Sequence, residues 1–409
     1  MRGRMRMVRS VDSSTKSEFA VVTGADRRVA LVPAVLAVTV LCGQLYLAAG
    51  RNFATILETP FLPYCLIGAF AIHFWTRPGA VERWCTLALA IAGTVWFAAF
   101  SGRFQLNWPC SIACGSFFGL ASMTVLAAQT VRLRGAVQKE KLDTLIAGSV
   151  FGYAALFIAF ILNLTTRLHP QTYDLYLYAA DAGFRLPLCA WITKLVGDSP
   201  MLLQSCSVVY ESLPLAVSLL YAYQRSGKRQ LPVNVLPAFL GGGAAAYVLY
   251  NILPATGPRY VFGRTLPSNV PALHLVSVGD AVRNAVPSMH LACALLILWA
   301  CRPLGKWVRA VAALYLALTI LATIGFGEHY VVDLIAAVPY ALALAAVCAT
   351  NGWRNNWRAI ASGAGVTLAW IVALRFGTFL FQSAAFTWLA STGTIGMCLF
   401  LRRNILIKN

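Results

Sequence analysis

Apolar runs of the length that crosses a bilayer recur from residue 29 to residue 401, and this recurrence constrains the chain more than any other feature. A spanning helix needs roughly 20 mostly apolar residues, because every backbone polar group must be satisfied within the segment when no water is at hand. Runs of this kind, bounded by charges or prolines, lie at 29–49, 56–75, 84–101, 109–131, 144–165, 201–223, 233–253, 287–303, 308–325, 330–350, 358–376 and 381–401. Side chains that are 59% hydrophobic and 11% charged leave too little polar surface for a soluble body, so the expected fold is all-α and polytopic, with about twelve transmembrane helices.

A formal net charge of +19 raises the question of nucleic acid, but the placement of the charge argues against it. With the N-terminus inside, 24 of the 33 Lys and Arg fall on cytoplasmic segments, as the positive-inside rule requires, and both ends of the chain are expected in the cytoplasm. The eleven cysteines lie mostly within apolar runs, where a thiol packs as a small hydrophobe.

Four parts are expected: a basic arm at 1–28, an accessory four-helix unit at 29–131, a six-helix catalytic core at 144–350, and two closing helices at 358–401. Nearly every unusual polar residue sits in the core. Two of its linkers are long and face outward. The stretch 169–200 mixes aromatics with Asp174, Asp181, Arg185, Lys194 and Asp198 and reads as an amphipathic helix at the outer interface. In 254–286, Pro254, Pro258, Pro267 and Pro271 prevent a regular helix.

Three segments at the outer ends of spans carry the chemistry: PATGPRYVFG from Pro254, PSMH from Pro287 and HYVVD from His329. The i, i+4 spacing of His329 and Asp333 places both on one helix face, where the carboxylate can accept a proton from one imidazole nitrogen and leave the other as nucleophile. Attack on a phosphoryl group gives a phosphohistidine, His290 can protonate the leaving alkoxide, and Arg259 with the helix N-terminus at Ser288 can hold the phosphate oxygens. The chemistry needs no metal and no other cofactor. His73, His169 and His274 read as structural, while Glu211, inside an apolar run, is equally a polar anchor for the site or a helix contact.

PSMH followed by HYVVD resembles the type-2 phosphatidic acid phosphatase superfamily across the middle six spans. The resemblance implies metal-independent phosphoryl transfer with His329 as nucleophile, Asp333 as its partner and His290 as the acid. Plain phosphatases of the superfamily carry a Lys-x6-Arg-Pro segment and a Ser-Arg pair, and Ala322 and Thr323 stand where the pair would be. GPRYVFG with the other two motifs is instead similar to the inositol phosphorylceramide synthase branch, which transfers phospho-head groups between lipids. Arg264 and Arg283 are then the substitutes for the missing basic residues. The expected partners are the bilayer, a phospholipid donor, and a lipid alcohol or water as acceptor. The expected setting is a bacterial inner membrane with the site on the periplasmic side. Plain lipid phosphate phosphatase is the alternative enzyme. The rival class is a transporter, disfavoured because the ionisable cluster lies at the membrane boundary and not at its midplane.

Overall fold

The computed structural model describes residues 61–100, 108–227, 230–263 and 265–407; the basic arm and the run at 29–49 lie outside the described residues. Four helices come first: α1 (Leu62–Trp75), α2 (Ala80–Phe100), α3 (Trp108–Arg132) and α4 (Gly135–Leu168). The core continues through strand β1 (Gln171–Thr172) and helices α5 (Asp174–Ala182), α6 (Leu188–Asp198), α7 (Pro200–Glu211), α8 (Leu213–Arg225), α9 (Val235–Ile252) and α10 (Pro258–Phe262). It closes with strand β2 (Val276–Ser277) and helices α11 (Met289–Ala300), α12 (Lys306–Gly325) and α13 (Val331–Val347). Helices α14 (Trp357–Phe376) and α15 (Ala384–Ile407) end the chain.

Among the described residues, seven helices are long and apolar enough to cross a membrane, and α7 with α8 makes an eighth if the bent pair is one span. Helices α1, α11 and α13 are apolar but shorter. The run expected to be one span at 201–223 is broken by 52° between Glu211 and Leu213. Pro214 is the physical reason: with no N–H it fits only the first turn of a helix, so a new helix starts at Leu213. The linker at 169–200 is two helices and not one, and Asp174 and Asp181 turn inward instead of facing water.

Helix α13 is the centre of the core. It is apolar on nearly every side, as a helix surrounded by protein must be, and it packs against α5, α9, α11, α14 and α15. Strands β1 and β2 pair antiparallel, Gln171 with Ser277 and Thr172 with Val276, and draw the two long linkers together. The first four helices are joined to the core by a shared apolar cluster: Cys65 and Ile72 of α1, Leu213 and Val217 of α8, and Cys293 and Ile297 of α11. The histidines read as structural take structural partners, His73 on Glu82, His169 on Asn251 and His274 on the Ala272 carbonyl.

Helices α1 and α3 cross so closely that a Cβ on Gly119 would lie 2.0 Å from the carbonyl oxygen of Leu66. Small residues at helix crossings let backbones approach in this way. Gly119→Ala is expected to lower stability by about 1–3 kcal/mol through overpacking. A Gly79→Ala control, with nothing within 4 Å of the added carbon, should leave thermal unfolding in detergent close to wild type.

Candidate active site

The three sequence motifs meet around the loop that precedes α13. Arg259 donates its backbone N–H to the carbonyl of Gly327 at 3.0 Å, which lays the PATGPRYVFG segment against Gly327, Glu328 and His329. Gly257 has a φ of +117°, and a Cβ there would lie 2.4 Å from the Glu328 carbonyl oxygen, so only glycine permits this approach. The same loop is held from beneath by the Thr323 carbonyl, which accepts from the N–H groups of both Glu328 and His329 at 3.2 Å.

The stretch leading into PSMH is tied to the same place. Ala285 donates to the Ala255 carbonyl at 3.1 Å, and its own carbonyl sits 2.9 Å from Nδ1 of His329. A carbonyl oxygen only accepts, so Nδ1 carries the proton and Nε2 holds the lone pair. The Ala285 carbonyl thus stands closer to Nδ1 than Asp333, the orienting partner expected from the sequence. Asp333 Oδ2 lies 3.5 Å from His329 Nδ1, farther than the Ala285 oxygen, and accepts its close bond at 2.8 Å from the Tyr330 backbone N–H. Asp333 Oδ1 is buried with no hydrogen-bond partner. His329 is buried in the linker ahead of α13, and burial, which disfavours the imidazolium, holds it at about 4.

His290 stands in the first turn of α11, behind Ser288, whose hydroxyl caps the helix by accepting from Leu291. Its ring stacks on Tyr210, with centroids 3.8 Å apart and planes within 14°. Tyr210 in turn meets Phe326 edge-on, three residues before His329, and the two imidazoles are within electrostatic reach of one another. Arg259, 59% exposed, is paired with Glu328 at 3.3 Å, and the Tyr260 hydroxyl donates to the same carboxylate at 3.0 Å. Burial, and then Glu328, push the Tyr260 phenol up to about 12, so it remains a donor.

Not every expected residue joins this cluster. Arg283 is 1% exposed, and its five N–H groups are directed to the carbonyls of His169, Pro170, Val278, Gly279 and Ala281. No donor is left for a phosphate, so its place is that of a clip between the two long linkers. Arg264 lies outside the described residues. Glu211 is half-buried at the α7–α8 bend, next in sequence to Tyr210.

The residues that sequence reasoning passed over are Asp174 and Asp181. Asp174 is fully buried and accepts from the backbone N–H groups of Thr256 and Gly257, at 3.1 and 2.8 Å, and from the Tyr330 hydroxyl at 3.0 Å. Asp181 accepts from Val331 and Val332 N–H at 2.8 and 2.9 Å and from the Cys189 thiol at 3.1 Å. Seven residues apart, they share one face of α5, which is the signal the sequence did carry. Burial pushes Asp181 up to about 6, against the pull of the N–H groups it holds.

Residues 175–347 match the family model of the PAP2 superfamily, a stretch that runs from α5 to the end of α13 and contains all three motifs. No curated protein and no solved structure matches the chain. The several apolar helices and the family match suggest an integral membrane protein, and the family match suggests a lipid phosphatase or phosphotransferase.

Two outcomes follow from this geometry. Replacing Asp181 by Asn swaps one of the acceptor atoms for a donor facing a buried N–H, and should cost about 1–3 kcal/mol of stability in a detergent melt; an unchanged melt would show that the capping bonds are dispensable. Because His329 is neutral above about pH 4, its reactivity toward a phosphoryl donor should persist as pH falls through 6 and fade only as the ring protonates near 4. Loss centred at the ordinary histidine value in a single-turnover pH series would contradict this.

Proposed function

We propose that the chain is a membrane-embedded lipid phosphotransferase or phosphatase working through a phosphohistidine on His329 Nε2. The observation that carries the reading is the bond from His329 Nδ1 to the Ala285 carbonyl, because it makes Nε2 the nucleophilic nitrogen in a buried ring that is neutral at physiological pH. In the first half-reaction Nε2 attacks phosphorus, the bond to the leaving oxygen breaks, and that oxygen takes a proton from His290, which has to enter the step as the imidazolium. The ring of His329 becomes cationic at this point, and Asp333, 3.5 Å from Nδ1, stabilises the new charge. In the second half-reaction the acceptor oxygen forms the new bond to phosphorus, the P–N bond breaks, and the acceptor proton returns to His290.

Arg259 is the phosphate ligand in this reading. An exposed ion pair such as Arg259–Glu328 contributes only about 0–1 kcal/mol, so a bound phosphate can draw the guanidinium away from it. Ser288 and the first N–H groups of α11 are the other phosphate-binding element in this reading.

The finer placement, with a head-group transferase of the inositol phosphorylceramide synthase type preferred to a plain phosphatase, is supported at 322 and 323. Ala322 and Thr323 are both fully buried in α12, so no basic side chain from those positions stands behind His329. The same reading has the site opening on the non-cytoplasmic face of a bacterial inner membrane with both termini inside. It also has twelve spans, counting the α7–α8 pair once and adding α1, α11, α13 and the run at 29–49.

The test is turnover of labelled phospholipid by purified protein in liposomes with EDTA and a panel of lipid alcohols. Wild type should form an acid-labile phosphoenzyme that His329→Ala lacks, and His290→Ala should slow turnover by about 10²–10⁴-fold. A new labelled lipid identifies a transferase and inorganic phosphate alone a phosphatase. Full turnover in both variants would end the mechanism.

A further inference from the structure

The fold brings one residue from the first group of helices onto the general acid, and this contact has no counterpart in the three motifs. Phe61, at the head of α1, places its ring 5.6 Å from that of His290 and 6.0 Å from that of Tyr210. Tyr210 covers the imidazole face at 3.8 Å, and Phe326 closes on Tyr210 from its edge at 5.7 Å. We propose that Phe61 and Tyr210 enclose the imidazole of His290, set its plane and keep bulk water from it, and thereby bias the phosphoenzyme toward a lipid hydroxyl over water.

Three observations support a built enclosure. Phe61 has a φ of +74°, a left-handed conformation that is costly for a side chain with a Cβ and persists only where the surroundings enforce it. Helix α1 is fixed relative to His290 by direct packing: Gly68 lies against Ser218 of α8, and Cys65 and Ile72 share an apolar cluster with Cys293 and Ile297, one and two turns below His290 on α11. Tyr210 owes its position to the 52° break that follows it, since a continuous span through Glu211 and Ser212 would carry α7 along the line of α8.

Chemically, the rings of Phe61 and Phe326 offer no donor or acceptor, so they take no part in proton transfer. Their effect falls on which oxygen reaches His290 in the second half-reaction. Water and a lipid alcohol undergo the same step, giving their proton to His290 as their oxygen bonds to phosphorus and the P–N bond breaks. A hydroxyl carried by a lipid arrives from the apolar side, whereas water must enter past the aromatic rings. Phe61 and Tyr210 are thus positioning and specificity residues, and α1 acts on the reaction only through the ring at its head.

This inference rests on the phosphohistidine reading for its consequence but not for its geometry, and two measurements separate them. The first is the rate at which diethyl pyrocarbonate modifies His290, read by peptide mass spectrometry and independent of turnover. Phe61→Ala and Tyr210→Leu should each speed that modification by about two- to tenfold, the range that loss of one aromatic pair supports, while Tyr210→Phe, which keeps the ring, should match wild type. Phe61→Leu, close in volume, runs beside Phe61→Ala so that an intermediate rate is read on a protein whose packing is preserved. The second is the ratio of transferred lipid to released phosphate in liposomes, which should fall by a similar factor in the same variants and hold in Tyr210→Phe. An unchanged modification rate in Phe61→Ala and Tyr210→Leu overturns the enclosure. Faster modification with an unchanged product ratio overturns the bias on acceptor choice. Faster modification in a protein whose wild type turns over no phospholipid keeps the enclosure and removes the bias together with the phosphohistidine reading.

Discussion

The carboxylates of α5 hold the rest of the site in place. Asp181 supplies an acceptor to the first two N–H groups of α13, which have no partner within their own helix, and Asp174 does the same for Thr256 and Gly257 while taking the hydroxyl of Tyr330. Both aspartates are buried, so water cannot substitute for these bonds, and a displaced N–H would remain unpaired in an apolar surrounding. The start of α13, the GPRYVFG segment and α5 are therefore fixed as one unit, and His329 lies between them. A short helix outside the three motifs sets where the candidate catalytic groups stand.

A second layer of backbone contacts acts on the histidine itself. Arg283 gathers five carbonyls from the two long linkers, and two residues later Ala285 presents its carbonyl to His329. A carbonyl is a neutral acceptor: it selects the tautomer but adds no countercharge. Asp333, 3.5 Å from Nδ1, is the carboxyl group that the proposed mechanism uses as the countercharge. In the proposed mechanism two tasks, orienting the imidazole and stabilising its cationic form, are divided between a main-chain oxygen and a side chain, which fits a ring that is neutral before attack and charged only after it.

The membrane imposes its own order on this arrangement. Helices that cross hydrocarbon satisfy their backbones internally, so the polar groups that need outside partners collect where helices begin and end. Every member of the candidate site stands at such a place: His290 in the first turn of α11, His329 and Asp333 at the start of α13, Arg259 in α10, and Asp174 and Asp181 on a helix between spans. The break at Glu211 belongs with them, since it creates an additional helix end and brings Tyr210 to His290.

Much of this was legible in the sequence, and what was not has a common cause. Apolar runs of bilayer length determine helices, and eleven of the twelve expected runs fall on helices among the described residues, one of them as the broken α7–α8 pair. The nearness of His329 and Asp333 is likewise local, since they stand four residues apart, although His329 lies in the linker before α13 and not on the helix face that the spacing led one to expect. Contacts made across the chain leave no such periodic trace. Arg283 and Arg259 are equal in the sequence as cations near a motif, yet one is spent on five carbonyls and the other stands at the rim, because only the packing of the linkers decides which donors meet a carbonyl. Asp174 and Asp181 read as surface charges until α5 is seen to turn inward, and Phe61 reads as one aromatic among many until α1 docks beside α11. The sequence by itself determined the helices and the reactive groups at their ends; the tertiary structure decided which of those groups share a site, because burial and hydrogen bonding between distant segments depend on how the helices pack and not on the order in which they occur.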